Sequence, residues 1–437
     1  MMQGQQHAYS PVFGETRLDA LQRHAFEYFL HETNPVNGLV ADTSHPGAPS
    51  SIASVGFALA AYPVGVERGW MTRMDVIERT VALMRFFWTS PQGTAPDATG
   101  HKGFYYHFLD MTTGRRASLC EVSTVDTTFL LAGMLAAAAF FDRETEDEQE
   151  IRTLADALYR RADWTWACNG GATPTHGWTP EGGFLRYRWE GYDEALLLYV
   201  LGLGSSTHPL PIESYMARAS TYQWKEIYGY ELLYGGSLFI HQYSHIWVDF
   251  RGIQDAFARD RGIDYFENSR RATYVQREYA IRNPLDFAGS GENFWGLTAS
   301  DGPGWTTRKI HGIERSFFDY VARGAPYGPD DGTVAPWAVV ASLPFAPEIV
   351  LPTVRHFEDV YPQVTGKYCL RCSFNLTFPN EADADAGWTS PYHYGINLGP
   401  VVLMCENHRS GLLWRLMSAC PYIVTGLRRA GFRNGWL

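Results

Sequence analysis

Lysine is nearly missing from this 437-residue chain: of 36 basic residues only Lys102, Lys225, Lys309 and Lys367 are lysine, and 47 acidic residues leave a net charge of −11. An acidic chain with scattered arginines is poorly suited to tracking a phosphate backbone, so nucleic acid is excluded as an expected partner. Charged residues make up 19% and hydrophobic ones 45%, which excludes wholesale disorder. Long apolar runs are absent too. The best candidate, Phe129–Phe141, is too short to cross a bilayer, and no membrane span is expected. Met1–Ser10 reads MMQGQQHAYS, without the charged and apolar regions of a secretory leader. The expectation is a cytoplasmic protein, or a periplasmic one if a leader has been removed. The six cysteines, Cys120, Cys168, Cys369, Cys372, Cys405 and Cys420, are scattered, which rules out a disulfide scaffold and predicts six reduced thiols. Cys369-Leu-Arg-Cys372 lacks the second pair that a tetrahedral zinc site needs.

Familiar catalytic signatures are missing as well. There is no G-x-S-x-G, H-E-x-x-H, Walker A or G-x-G-x-x-G pattern. His241-Gln-Tyr-Ser-His245 with Asp249 is the one metal-like cluster, and it reads better as the polar wall of a cleft. Neither a metal nor a cofactor is expected.

Aromatic residues are abundant: 14 Trp, 25 Tyr and 25 Phe. They fit either a large aromatic core or a wet cleft with flat apolar walls. Helical periodicity dominates the chain. Leu18, Leu21, Ala25, Tyr28 and Phe29 mark a first amphipathic helix, while Ser51–Tyr62 is apolar all round and stops at Pro63 and Gly65. Thr72 caps a helix to Trp88, Ser123–Phe141 is apolar again, and Asp147–Trp166 is amphipathic. The alternation repeats at Tyr192–Leu203 with Ile212–Ile227, and at Val334–Leu343 with Pro347–Val360; Glu406–Cys420 closes it. Strand signals are limited to a hairpin over Tyr228–Tyr243 and a short strand near Tyr368–Phe374. No Pro- or Ser-rich linker divides the chain, so residues 1–437 are read as one domain. The predicted class is all-α: an (α/α)6 toroid of about a dozen helices in six pairs, with short hairpin and loop insertions.

Carboxylates stand at the starts of the predicted inner helices: Glu121 and Asp126, Glu190 with Asp193 and Glu194, and Asp330 with Asp331. Each could simply cap its helix. Three such stations at one mouth, beside Trp, Tyr or Gly, point instead to paired acids, and paired acids without a nucleophile elbow point to glycoside hydrolysis.

Several segments then resemble the bacterial glucoamylase-like family, which includes endo-β-1,2-glucanases and domains of cyclic β-1,2-glucan synthases. They are Ser54-Val-Gly-Phe-Ala-Leu-Ala, Pro63-Val-Gly-Val-Glu-Arg-Gly69, Lys102-Gly-Phe-Tyr-Tyr-His-Phe-Leu-Asp110 and Glu121-Val-Ser-Thr-Val-Asp-Thr127. Trp189-Glu-Gly-Tyr-Asp-Glu-Ala195, His241-Gln-Tyr-Ser-His-Ile-Trp-Val-Asp-Phe-Arg251 and Gly411-Leu-Leu-Trp414 complete the set. The resemblance implies the toroid and action on β-glucan, with β-1,2-linked glucan or its oligosaccharides leading. It matches Glu121 and Glu190 to cleft glutamates and Asp126 to a sugar-contacting acid. These three are the candidate catalytic residues, with Glu190 as general acid. The chain departs from the family at Asn397 and Cys372, where relatives carry Asp. That departure leaves the general base open, with Asp331 and Glu406 as substitutes.

Trp189, Tyr192, Tyr243, Trp295 and Trp388 are the expected sugar platforms, and Asp193, His241 and Arg251 are expected to bond hydroxyls. Glu121 and Glu190, starting different inner helices, are expected about 6.5–9.5 Å apart, the spacing of an inverting pair. Rival readings are a transglycosylase, a polysaccharide lyase using Tyr or His as base, and a glucan-binding protein without turnover.

Overall fold

Ile52–Glu67 and Thr124–Phe140 carry almost no polar face, and the first is buried without a break from Ile52 to Gly65. The computed structural model describes residues 14–380 and 386–437; Met1–Ser10, read above for a leader, lie outside the described residues. Glycines let these two helices meet backbone to backbone. A Cβ on Gly133 would lie 2.1 Å from the Gly56 carbonyl oxygen, and one on Gly56 would lie 2.3 Å from that of Phe129.

Four more buried helices continue the arrangement: Leu196–Gly204, Tyr243–Trp247, Pro336–Ala341 and Gly395–Arg409. Thr124–Phe140 packs on Leu196–Gly204, which packs on Tyr243–Trp247. Gln242 donates to the Ala338 carbonyl at 2.7 Å, tying that turn to Pro336–Ala341. Pro336–Ala341 packs on Gly395–Arg409, which returns to Ile52–Glu67. Amphipathic helices lie outside them: Gly14–His31 against Gly395–Arg409, Glu146–Arg161 against Thr124–Phe140, Pro347–Val360 against Pro336–Ala341, and Pro421–Arg429 against Leu196–Gly204. The apolar core is contiguous from Leu21 to Phe432.

The sequence reading needs correction at several points. The helix from Ile52 continues past Pro63 to Glu67 and forgoes one backbone donor. Ile212–Ile227 divides into a helix, Ile212–Ala219, and the first strand of a hairpin. That hairpin pairs Trp224–Ile227 with Tyr230–Leu233 around Tyr228-Gly229, both at positive φ, not around Gly235-Gly236. Leu196, not Tyr192, begins the next inner helix. Tyr265–Arg282, an 18-residue helix capped by Asp264, escaped detection because arginines interrupt its apolar stripe. The strands also exceed the expected hairpin. A five-stranded antiparallel sheet runs Gly100–His101, Phe104–Tyr106, Val122–Ser123, Gly177–Thr179, Gly183–Phe184.

That sheet matters for the site. Val122–Ser123 feeds directly into Thr124–Phe140, with the Ser123 side chain capping the helix at Asp126 N. Ser50–Ser51 pairs with Phe108–Leu109 just before Ile52, and Thr43 bridges to Tyr394 just before Gly395. The starts of three inner helices are thereby stitched together at one end of the molecule.

Candidate active site

A cavity of about 510 Å³ opens where those helix starts meet. Its carboxylates are Asp42, Glu121, Asp126 and Glu194, and its one-sided polar wall is completed by His107 and His176. Phe108, Phe129, Trp189, Phe239, Tyr243 and Tyr320 form the apolar surfaces. Tyr320 is 50% exposed and lines the cavity.

His107 lies between the strands Phe104–Tyr106 and Phe108–Leu109, its ring stacked on Phe108 at 4.0 Å. Its Nδ1 stands 3.0 Å from Glu121 Oε1, and its Nε2 stands 3.6 Å from Asp126 Oδ2. Burial works against a charge on this imidazole, but Asp126, Glu121 and Asp42 outweigh it and lift the pKa to about 9. The reciprocal effect holds Glu121 below the ordinary glutamate value despite its burial. The same Asp126 oxygen accepts from Ser123 Oγ at 2.5 Å.

The other two carboxylates are placed differently. Among the described residues, no side-chain donor bonds the Asp42 or Glu194 carboxylate; Glu194 is reached only by its own backbone amide. Burial, chiefly, pushes Glu194 up to about 8; Asp193 and Asp126 add to the rise and Arg218 opposes it. Burial likewise pushes Asp42 up to about 6, with Asp126 and Asp301 adding and His107 opposing. The cavity therefore holds a carboxylic acid protonated at neutral pH and a carboxylate that ionises below it, the polarised pair of acid–base chemistry. Beside them Tyr394 donates to Asp301 Oδ2 at 2.7 Å, as Ser390 Oγ does at 2.9 Å.

Of the residues singled out from sequence, the cavity brings together Glu121, Asp126, Trp189 and Tyr243. Trp189 is fixed by its indole N–H, which donates to Thr124 Oγ1 at 2.9 Å, and by the His176 ring stacked 3.8 Å away. The Tyr243 hydroxyl donates to the Ile396 carbonyl at 3.1 Å.

The remaining candidates lie elsewhere. Glu190 is exposed, accepts from Thr173 at 2.9 Å and does not line the cavity, because it belongs to the loop a full turn before the helix begins. The cavity therefore does not bring together the expected Glu121–Glu190 pair. Asp193 pairs with the fully buried Arg218 at 2.8 Å, Asp331 with the equally buried Arg323 at 2.7 Å, and Glu406 with Arg68 at 2.8 Å. Trp295 is in the core, donating to Thr353 at 2.9 Å. Tyr192 is buried behind the wall against Tyr265 and His241. Burial pushes His241 and His245 down to about 3, so both are neutral core imidazoles. Among the described residues no group of three or more His, Cys, Asp or Glu could hold a metal ion. Arg251 bonds Asp249 and stacks on Trp414, and Trp388 pairs with Asn375 in a two-stranded ribbon; neither lines the cavity. At the departure from the family, Asn397 Nδ2 donates to Cys372 Sγ at 3.1 Å, both buried. All six cysteines are free.

Asp42, His107, Glu194, Tyr320 and Tyr394 were missed. Glu194 stood in a quoted motif, and a helix start at Leu196 rather than Tyr192 would have picked it out. Asp42 sits in Leu39-Val-Ala-Asp-Thr, which has no local mark of function.

Residues 186–421 match the Glycoamylase family, described as "Putative glucoamylase". Over 96% of its length the chain is 28% identical to the exo β-1,2-glucooligosaccharide sophorohydrolase (non-reducing end) of Parabacteroides distasonis, and spans 58% of that protein. It is 31% identical to a solved "putative glucoamylase" from Bacteroides uniformis, with a TM-score of 0.84, covering 96% of this chain and 98% of the other. The endo-β-1,2-glucanase of Chitinophaga pinensis, solved with sophorotriose and glucose, is 27% identical, with a TM-score of 0.84 and the same two coverages.

Proposed function

The chain belongs to the Glycoamylase family, and from that membership we propose that it is a glycoside hydrolase of β-1,2-linked glucan or its oligosaccharides, built as a single-domain (α/α)6 toroid. The circuit of six buried helices supports the toroid, and the named relatives that cleave β-1,2-linked chains support the linkage. One observation carries the chemistry. Of the four cavity carboxylates, Glu121 and Asp126 are engaged with His107 and Ser123, whereas among the described residues no other side chain donates to Asp42 or Glu194.

Glu194 is the general acid. It gives its proton to the glycosidic oxygen as the bond from that oxygen to the anomeric carbon breaks. Asp42 is the general base, taking a proton from the water whose oxygen bonds the anomeric carbon. The half-exposed Tyr320 ring offers a flat apolar face to a sugar. With Asp42 in the base role, the buried Asn397–Cys372 contact is no obstacle to hydrolysis.

Incubation with β-1,2-, β-1,3- and β-1,4-glucans and chromatography of the products tests the proposal. Shortening of β-1,2-glucan alone is expected. No cleavage of it, or preference for another linkage, would overturn the substrate assignment, and longer products would replace hydrolysis by glycosyl transfer.

A further inference from the structure

Among the described residues, His107 is the basic group paired with the acids of the cavity, with Nδ1 hydrogen-bonded and Nε2 in ion-pair range. Glu121 approaches from the residue before Val122–Ser123, and Asp126 from the first turn of Thr124–Phe140, at 3.0 and 3.6 Å. Asp42 faces it from the segment before Ser50–Ser51. With Nδ1 hydrogen-bonded to Glu121 and Nε2 in ion-pair range of Asp126, the ring sits between two carboxylates, a placement that favours the imidazolium form. The ring is pinned as well, stacked on Phe108 with an interplanar angle of 10°, while the His107 amide donates to the Glu121 carbonyl at 2.9 Å. Two carboxylates thus fix one cation beside a third carboxylate, Asp42, that no donor among the described residues bonds.

We propose that His107 is a positioning residue: an imidazolium clamped by Glu121 and Asp126, whose charge keeps the Asp42 carboxylate ionised and ready to accept a proton from water. The inference rests on the reading of Asp42 as base. Asp42 is faced by His107, Asp126 and Asp301, and by the phenols of Tyr28, Tyr320 and Tyr394. Every one of these except His107 is acidic or neutral, so among these described neighbours it is His107 that opposes protonation of Asp42. When a neutral sugar displaces water from the cavity, screening is lost and both the acid–acid repulsion and the imidazolium's attraction grow. Without the cation, Asp42 would take up a proton before it could serve as base.

The test uses the whole chain, wild type and His107→Gln, with two readouts. Carbon NMR of the labelled Asp42 carboxyl reports its ionisation directly. Its midpoint is expected to rise by about 1–3 units in His107→Gln, the usual effect of losing one neighbouring opposite charge. The acidic limb of kcat/KM on a β-1,2-linked oligosaccharide should move up with it, while the alkaline limb stays in place. An unmoved Asp42 midpoint, or a loss of rate by the same factor at every pH, would overturn the proposal. If His107→Gln fails to fold, the wild-type His107 ring is titrated instead. A ring still protonated beyond pH 8 supports the clamp, and one titrating near the ordinary value of about 6.5 overturns it. Asp42→Asn separates the two claims: a retained rate there would refute Asp42 as base, while the NMR midpoints still decide what His107 does.

Discussion

Replacing Glu194 by Gln keeps the size of the side chain and removes the proton it can deliver. Burial, the neighbouring Asp193 and Asp126 together set its pKa at about 8, Arg218 opposing. Raised in this way by burial, the carboxyl holds its proton at neutral pH. Nearly every enzyme molecule is then competent to donate, and the loss on substitution is the full worth of a general acid, about 10²–10⁴-fold in turnover. The assay is hydrolysis of a β-1,2-linked oligosaccharide beside that of an aryl sophoroside with a good leaving group, which departs without protonation. Glu194→Gln should lose its rate on the first and keep most of it on the second. Wild-type activity should fall as pH rises through about 8, and that limb should be missing from the variant. Stability follows the same proton. The unfolded chain releases it near the ordinary glutamate value of 4.5 and the folded chain holds it to about 8, so folding loses stability as pH rises across that window. The Gln variant should be spared this loss, and its melting temperature should gain on wild type toward pH 8. A rate within tenfold of wild type on the oligosaccharide, or equal losses on both substrates, would refute Glu194 as the acid.

Glu190→Gln, at an exposed position outside the cavity, should change kcat and melting temperature hardly at all, within about twofold in rate. Arg323→Met strands Asp331 as a buried, unpaired charge and should cost about 3–5 kcal/mol in denaturant unfolding; a cost under about 1 kcal/mol would mean that the site admits water. Gly133→Val drives a side chain into the Gly56 carbonyl, 2.1 Å from the ideal Cβ, and should destabilise by more than the roughly 1–3 kcal/mol usual for overpacking, read as a fall in melting temperature.

The inner helices were legible because burial on all sides demands apolar residues on all sides. Ile52–Glu67 and Thr124–Phe140 satisfy that demand in the chain itself, and caps such as Thr72 and Ser123 act within three residues of where they stand. Glu121 and Asp126 were legible for the same reason, as acids at the start of an apolar run that had to end at a mouth. What the other acids do was not. Asp193, Asp331 and Glu406 look as catalytic in the sequence as Glu194 does, and each is neutralised by an arginine, two of them distant in the chain: Arg218, Arg323 and Arg68. Asp42 and Glu194, more than 150 residues apart, are candidates for base and acid only because folding buries both in one cavity, where among the described residues no other side chain donates to them. A carboxylate's spacing along the chain is a local property, but its proton affinity is set by desolvation and by charges gathered from elsewhere, and those exist only in the tertiary structure.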